Sequence, residues 1–349
     1  MRGMVAMREA APTVAQVGAG GGQRIAALDP AHYRQHFIHG EGRTWAETNC
    51  YTDVLIEILH GLGHEPAAVL AFTLAVDFEG DQWTFFKPPH ADLYELYGWD
   101  IQELSIWRPL HEHVAGLIGD GKLPLLELDS YYLPDTAGTA YGLLHLKSTV
   151  GVNRIDVAGR SMDYFHNQGF YRVEGADFAN LFQLDGPAHE RVLPPYFEYV
   201  KRGDAAAPRG ERLLEASLSQ LRRHFARIPG DNPFQRFKPR LAHDLERLRG
   251  ADIGAFHAYS FVTLRMVGAC MELAETYLRW LDGQGAARLG VAGLVGPAAR
   301  LRNISDAAKA FQFQLARAMA RKKSLDLAPL DDMASDWQAC MDGLQCSLR

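Results

Sequence analysis

Residues 48–62 read TNCYTDVLIEILHGL, and this stretch is the start of the predicted fold. Apolar residues recur every three or four positions, which predicts an amphipathic helix that begins near Cys50. Thr48 or Asn49 is available as its N-cap, and Gly61 with Gly63 provides the stop. The pattern therefore predicts a buried helix with a cysteine in its first turn.

Cys50 is a candidate nucleophile because of this position. The positive end of a helix dipole stabilises a thiolate, which is the reactive form of cysteine. The alternative is a small buried apolar side chain. The other three cysteines, Cys270, Cys340 and Cys346, are interpreted as structural, and no CxxC spacing is present.

The segment that follows alternates between helix and strand signals. We expect strands over 69–78, 83–86 and 122–133, a helix over 100–118, and a hairpin of strands 143–157 and 162–167. His145 lies near the start of the hairpin. Its returning strand ends in His166 and Asn167, where a polar side chain could orient the imidazole of His145. The alternatives are an ordinary strand histidine and a turn asparagine.

This order of a helix-initial cysteine, strands and a histidine that opens a hairpin resembles papain-like cysteine enzymes. The stretch GDGKLPLLELDSYYLPDTAGTAYGLLHLKSTVGVNRID, from residue 119, resembles papain-fold acyltransferases of the butirosin-biosynthesis type and peptidases of bacteriocin exporters. The blocks TNCYTDVLIEILH, DFEGDQWTFFKPPHADLYELYG, ELDSYYLPDTAGTAYGLLHLKS and MDYFHNQGFYRVEGADF are similar to a proteobacterial family known as a domain of unknown function. Genes of that family commonly lie near ligases, similar to seryl-tRNA synthetases, that load amino acids onto carrier proteins.

The resemblance implies roles for particular residues. Cys50 falls on the nucleophile, His145 on the base, and the orienting residue on His166 or Asn167. The peptidases place a glutamine about six residues before the cysteine, where this chain has Thr44. The backbone N–H of Cys50, helped by Thr48 or Asn49, is then the expected oxyanion donor.

A group of carboxylates is a candidate for substrate binding. Asp77, Glu79 and Asp81 alternate along DFEGD, and Asp129 ends a strand beside two tyrosines. These side chains could hold the ammonium of an aminoacyl group. A metal ion and a solvated acidic turn are the alternatives for the first three. The histidines show no metal-binding spacing, and we expect neither a metal site nor a resident cofactor.

Charge and composition suggest the domain organisation. Residues 1–200 hold 13 Lys/Arg against 26 Asp/Glu, whereas residues 201–349 hold 23 against 16. We predict an α+β fold with a disordered tail (1–25), a papain-like α+β domain (26–200), a linker (201–211) and an all-helical domain (212–349). The two halves are expected to meet different partners or each other. The basic groups of the helical half are candidate docking residues for an acidic carrier protein: Arg222, Arg223, Arg227, Arg236, Lys238, Arg240, Arg317, Arg321, Lys322 and Lys323.

The expected function is a cysteine-dependent acyltransferase that acts on an acyl or aminoacyl group thioesterified to a carrier protein. The phosphopantetheine arm of that carrier would be substrate rather than cofactor. A non-catalytic protein that binds a carrier or its ligase, and a cysteine hydrolase, are the alternatives. The cysteine usage fits a reducing compartment, and no apolar run reaches the roughly 18 residues of a membrane span. We therefore expect a cytoplasmic protein without nucleic-acid or membrane partners.

Overall fold

The structure is a computed structural model that describes residues 23–186, 195–203, 206–228, 230–248, 250–321 and 323–349. The predicted tail lies outside the described residues except for its last three. Strands are β1 Gln23–Arg24, β2 Phe78–Glu79, β3 Gln82–Trp83, β4 Trp99–Glu103, β5 Leu123–Asp129, β6 Lys147–Asp156, β7 Ser161–His166, β8 Gly169–Glu174 and β9 Phe197–Arg202. Helices are α1 Cys50–Gly61, α2 His90–Tyr97, α3 Leu110–Gly119, α4 Gly175–Leu181, α5 Glu211–Phe225, α6 Pro233–Leu248, α7 Ile253–Ser260, α8 Met266–Gly283, α9 Val295–Arg321 and α10 Ala328–Ser347.

The fold is mixed α+β, with a helical C-terminal part formed by α5–α10. One antiparallel sheet has the strand order β4-β9-β5-β6-β7-β8, and β1 pairs with β6 from outside this path. β2 and β3 form a separate hairpin. Within the described residues, no helix has the length and apolar character needed to cross a membrane.

Each face of the main sheet carries its own core. Helix α1 covers one face, where Gly151 of β6 lies under Ile58; a Cβ at this glycine would come 2.5 Å from Ile58 Cδ1. Helix α3 and α4 cover the other face, and Val150 and Val152 of β6 point into that second core. Because side chains alternate along a strand, β6 therefore presents its odd-numbered residues from 147 to 151 to the α1 face.

The segment 69–78 is not a strand, and this prediction is wrong. Residues Pro66–Ala75 form a 3₁₀ helix that is capped by Glu65, and all but the last of them are buried. The segment packs against α1, α5 and α8. A short segment that is buried on all sides is apolar at every position, whether it is a strand or a helix. The hydropathy of the segment therefore does not distinguish the two structures.

Two other elements also differ from expectation. The predicted helix over 100–118 begins as strand β4, which pairs with β9, and becomes helical only after Pro109. Of the predicted strand over 83–86, only Trp83 is in a strand, as the second residue of β3. The hairpin itself is confirmed, since β6 and β7 are antiparallel neighbours joined by a short turn. Its first strand begins at Lys147 rather than at residue 143, so His145 precedes the strand.

The helical C-terminal part shares a continuous hydrophobic core with the α1 face of the sheet. Helix α8 lies at its centre and is buried along most of its length. Polar contacts also join the two parts: Thr44 N donates to Glu272 Oε1 at 2.7 Å, and Ser217 Oγ donates to Ala68 O at 2.7 Å. The helical part therefore packs directly onto the segments that precede and follow α1.

Candidate active site around Cys50

The start of α1 is held by side chains on both sides of Cys50. Asn49 is the N-cap: its Oδ1 accepts from Thr52 N at 2.9 Å, and its Nδ2 donates to Phe86 O at 2.9 Å. Thr48 N donates to Asp53 Oδ2 at 2.7 Å, and its hydroxyl bonds the other oxygen of that carboxylate. Both expected oxyanion helpers are thus engaged in structural hydrogen bonds. Of the first-turn N–H groups of α1, Thr52 N donates to Asn49 Oδ1 and Asp53 N donates to Asn49 O, which leaves the N–H groups of Cys50 and Tyr51 without an intrahelical acceptor.

A buried ionic cluster lies beneath this helix start. The imidazole of His39 lies between two carboxylates: Nδ1 is 2.5 Å from Glu57 Oε1, and Nε2 is 3.2 Å from Asp53 Oδ1. Burial opposes a charge on His39, but hydrogen bonds from both carboxylates outweigh it, so the pKa of His39 is raised. This cluster was missed at the sequence level, although two acids on the buried face of a helix are a signal for a compensating cation.

Cys50 is half-buried and faces β6. Its Sγ lies 3.6 Å from Thr149 Oγ1. Thr149 is paired with Glu127 across β5 and β6, and the next pair on the same face is Asp129 with Lys147. Lys147 Nζ bonds Glu127 Oε1 at 2.8 Å. The hydrogen bond and charge of Glu127 raise the pKa of Lys147, and an ionised Cys50 adds to this effect. A cation thus lies within the electrostatic range of the thiol.

His145 is paired with Asp129 on this same face. Its Nδ1 lies 2.6 Å from Asp129 Oδ2, and its ring stacks on Tyr131 with 4.2 Å between centroids. The imidazole is 65% exposed. Asp129 is itself fixed, because it caps the turn that follows β5 and accepts from Tyr131 N at 3.0 Å. The aspartate therefore orients the imidazole and leaves Nε2 as the outward-facing nitrogen.

Cys50 and the His145–Asp129 pair lie on the same side of the sheet. Among the described residues, no hydrogen bond joins the thiol to this pair. Thr149 lies opposite the thiol, and His145 precedes it by four residues, which is about 13 Å of extended chain. The Lys147–Glu127 pair lies between these positions. The residues thus form a polar row along the open edge of the α1 face, with the thiol at one end and the imidazole at the other.

The structure places His166 and Asn167 away from His145. His166 points to the opposite face of the sheet, where Nδ1 lies 2.5 Å from Asp135 Oδ2 and Nε2 lies 2.6 Å from Ser148 Oγ. Asn167 occupies the β7–β8 turn with φ 45°, a left-handed conformation that asparagine tolerates. The partner of His145 is Asp129, which the sequence predicts only as a substrate-binding residue.

The acidic residues of the β2–β3 hairpin face the helical part. Asp77 is bound by Arg236, and Asp81 Oδ2 lies 3.7 Å from Arg240 Nη2. Glu79 is exposed. Two of the three candidate ammonium ligands are therefore already paired with guanidinium groups.

The charge asymmetry between the halves is partly satisfied inside the molecule. Arg223 bonds both Asp92 at 2.8 Å and Glu95 at 2.9 Å, and His224 bonds Asp92 at 2.5 Å. Several of the candidate docking residues are thus engaged in ion pairs, including Lys238 with Asp331. The Arg223 and His224 pairs join the two halves and support the expectation that the halves contact each other, whereas the Lys238–Asp331 pair lies within the helical half.

Comparison with protein families assigns the chain. Residues 34–202 match the DUF1839 N-terminal domain, and residues 210–346 match the DUF1839 C-terminal domain. The chain belongs to the DUF1839 family. No curated protein sequence matches it. Throughout the ranges that the structure describes, no group of three or more His, Cys, Asp or Glu side chains is arranged to hold a metal ion.

Proposed function

We propose that this DUF1839 protein is a cysteine-dependent acyltransferase on a papain-like fold, which takes an acyl or aminoacyl group from a carrier-protein thioester. The observation that carries the proposal is the His145–Asp129 pair, which lies on the sheet face that Cys50 of α1 faces. Cys50 lies in the first turn of α1, and Lys147 places a positive charge near its thiol. The carrier protein as acyl donor, and its ligase as a possible partner, are proposed because the family resemblance implies them.

The reaction has two steps. The Cys50 thiolate attacks the thioester carbonyl, a bond to Cys50 Sγ forms, and the carrier C–S bond breaks so that the carrier thiol leaves. An amine then attacks the acyl-Cys50 carbonyl, the C–N bond forms, and the bond to Sγ breaks. His145 accepts the amine proton, and Asp129 stabilises the resulting imidazolium. First-turn N–H groups of α1 stabilise the oxyanion in both steps.

Thiol exchange explains why the thiol and the imidazole need not touch in the first step. A thiolate attacks a thioester without a general base, because the leaving group is itself a thiolate. The base is needed when the amine attacks. In this proposal the amine proton passes through water to the exposed imidazole of His145, because the Lys147–Glu127 pair lies between that imidazole and Cys50. The phosphopantetheine arm is a substrate in this scheme, and no resident cofactor takes part.

The test follows transfer from an aminoacyl-loaded carrier protein to hydroxylamine. The wild type is expected to form the hydroxamate faster than a protein-free control, because hydroxylamine also cleaves thioesters without an enzyme. Cys50→Ala should form it only at that background rate, and Cys346→Ala should match the wild type, since Cys346 is an exposed thiol far from the site in sequence. Full transfer by Cys50→Ala would contradict the proposal. Cys50-dependent release of the free amino acid at an equal rate without hydroxylamine would favour the hydrolase instead.

A non-catalytic binding role is the second candidate. It is favoured by Thr149, which occupies the position opposite Cys50 where a catalytic base would be expected. In that case the wild type and Cys50→Ala would bind the loaded carrier equally well, and neither would change the thioester. Titration of carrier binding beside the transfer assay separates the two functions.

A further inference from the structure

A cavity of about 600 Å³ lies between the β2–β3 hairpin and the helical part. One wall comes from the hairpin with Trp83 and the following Phe85, the second from the end of α6, and the third from α7 and the turn that follows it. The volume is typical of a site for a small molecule. The cavity lies apart from the polar row that includes Cys50, and of its lining only Asp81 and Arg240 are among the candidate binding residues of the sequence.

The lining is mainly apolar, and several large side chains at the cavity remain open to solvent. Phe85 is 57% exposed, Phe261 50% and Val262 53%. Three exposed apolar side chains around one concavity are costly in water unless a ligand covers them. The cavity therefore favours a ligand with an apolar body.

Charged side chains at the same cavity differ in their pairing. Arg240 Nε bonds Asp244 at 2.9 Å and also lies near Asp81, so these charges satisfy one another. Arg247 lines the cavity too, but it forms no ion pair with a carboxylate of the described residues. An anionic group on the ligand is the natural partner for this guanidinium.

Tyr259 adds a neutral donor to the cavity. Its hydroxyl is buried and forms no hydrogen bond of good geometry with the described residues. Burial, with the nearby Asp244 carboxylate, raises the pKa of Tyr259, so the phenol stays protonated. The hydroxyl lies near the Asp244 carboxylate but is poorly aligned with it, so a ligand oxygen at the cavity would be a better-placed acceptor.

The third wall contains a widened helical turn. Residues Phe261–Arg265 form a π-helix between α7 and α8, a rare feature that often occurs at functional sites. At its end, Arg265 Nη1 donates to Thr48 O at 2.9 Å, two residues before Cys50. Phe86, which follows the lining residue Phe85, accepts through its carbonyl oxygen from Asn49 and Thr52. Chain neighbours of lining residues in two walls therefore contact the start of α1.

We propose that this cavity binds a small apolar carboxylate, with its hydrocarbon part against Phe85, Phe261 and Val262 and its carboxylate on Arg247. The lining selects one apolar body and one negative charge, since its other charged side chains are already paired. The inference does not depend on catalysis by Cys50.

The test uses 8-anilinonaphthalene-1-sulfonate, a fluorescent apolar monoanion, with decanoate and decylamine as competitors that share a tail and differ in charge. We expect saturable binding at one site per chain and displacement by decanoate but not by decylamine. Arg247→Ala is expected to weaken decanoate about tenfold, which is the loss of one charged hydrogen bond. Arg222→Ala, another exposed arginine that does not line the cavity, is the matched control and should bind like the wild type.

Ala255→Trp, which fills the cavity, is expected to abolish saturable binding, and a thermal melt identifies any loss of folding. If Ala255→Trp does not fold, Arg247→Glu provides the test, because Arg247 is exposed and its replacement leaves the core intact. Unsaturable fluorescence, equal competition by decylamine, or decanoate affinity unchanged in Arg247→Glu would overturn the proposal.

Discussion

Two histidine–aspartate pairs lie on opposite faces of β6 and have nearly the same hydrogen-bond length. His145–Asp129 spans 2.6 Å and is largely exposed, whereas His166–Asp135 spans 2.5 Å and both side chains are almost fully buried. Ser148 and Tyr164 complete the buried pair, with Tyr164 Oη 2.5 Å from Asp135 Oδ1. The same two residue types therefore stand in opposite environments, only one strand apart.

The difference in burial distinguishes a pair that can meet a substrate from a pair that stabilises the fold. A buried pair is expensive to break, because the remaining partner is left without solvent or a counter-charge. An exposed pair contributes little to folding, and its imidazole can meet a substrate. The serine, histidine and aspartate of the buried series resemble a catalytic triad in connectivity, but here they attach the Pro134–Thr136 turn to the sheet.

The largest expected effect comes from His145→Ala. Amine-dependent transfer should fall by about 10²–10⁴-fold, the usual contribution of a general base. The melting temperature should stay unchanged, because the side chain is exposed. His32→Ala is the matched control, since His32 forms a similar exposed pair with Asp29 at 2.7 Å. Transfer that survives in His145→Ala would remove this pair from the mechanism.

His166→Ala should have the opposite profile. Loss of the imidazole leaves the Asp135 carboxylate buried without its partner, and we expect unfolding in urea to cost about 3–5 kcal/mol less. The variant with both His166→Ala and Asp135→Asn should recover part of that loss. Transfer per folded molecule should remain near the wild-type value. A stability equal to that of His145→Ala would contradict the assignment of roles by burial.

Asp129→Asn is expected to have the smallest effect of the three. The carboxylate is partly exposed, so its loss should slow transfer about tenfold, equivalent to one charge-assisted hydrogen bond at the low end of its range. Stability should change by less than about 1 kcal/mol. The rate should fall in the amine-dependent step and not in the loading of Cys50. A uniform loss of both steps would indicate a structural role for Asp129 at the end of β5.

Local patterns along the chain predict a large part of this fold. The helix of α1, its Asn49 cap and the β6–β7 hairpin follow from side-chain periodicity and capping chemistry. The 3₁₀ segment Pro66–Ala75 does not, because complete burial removes the periodicity that would identify it. Glu65 and Pro66 are an N-cap and first-turn signal that could have indicated a helical start.

The pairing of site residues depends on strand register, which spacing alone does not define. Asp129 reaches His145 because β5 and β6 place Asp129 opposite Lys147. His166 is two strands away from β5, and its parity along β7 directs it to the far face. Likewise, the arginines of the helical part could be recognised as a basic group, but their partners Asp77, Asp92 and Glu95 follow from tertiary packing.

Intact-protein mass spectrometry after mixing with an aminoacyl-loaded carrier protein, without an acceptor amine, tests the central claim most directly. We expect one added aminoacyl mass per chain, located on Cys50 by peptide mapping, retained in His145→Ala and absent in Cys50→Ala. No added mass on the wild type, or an equal added mass on Cys50→Ala, would contradict it.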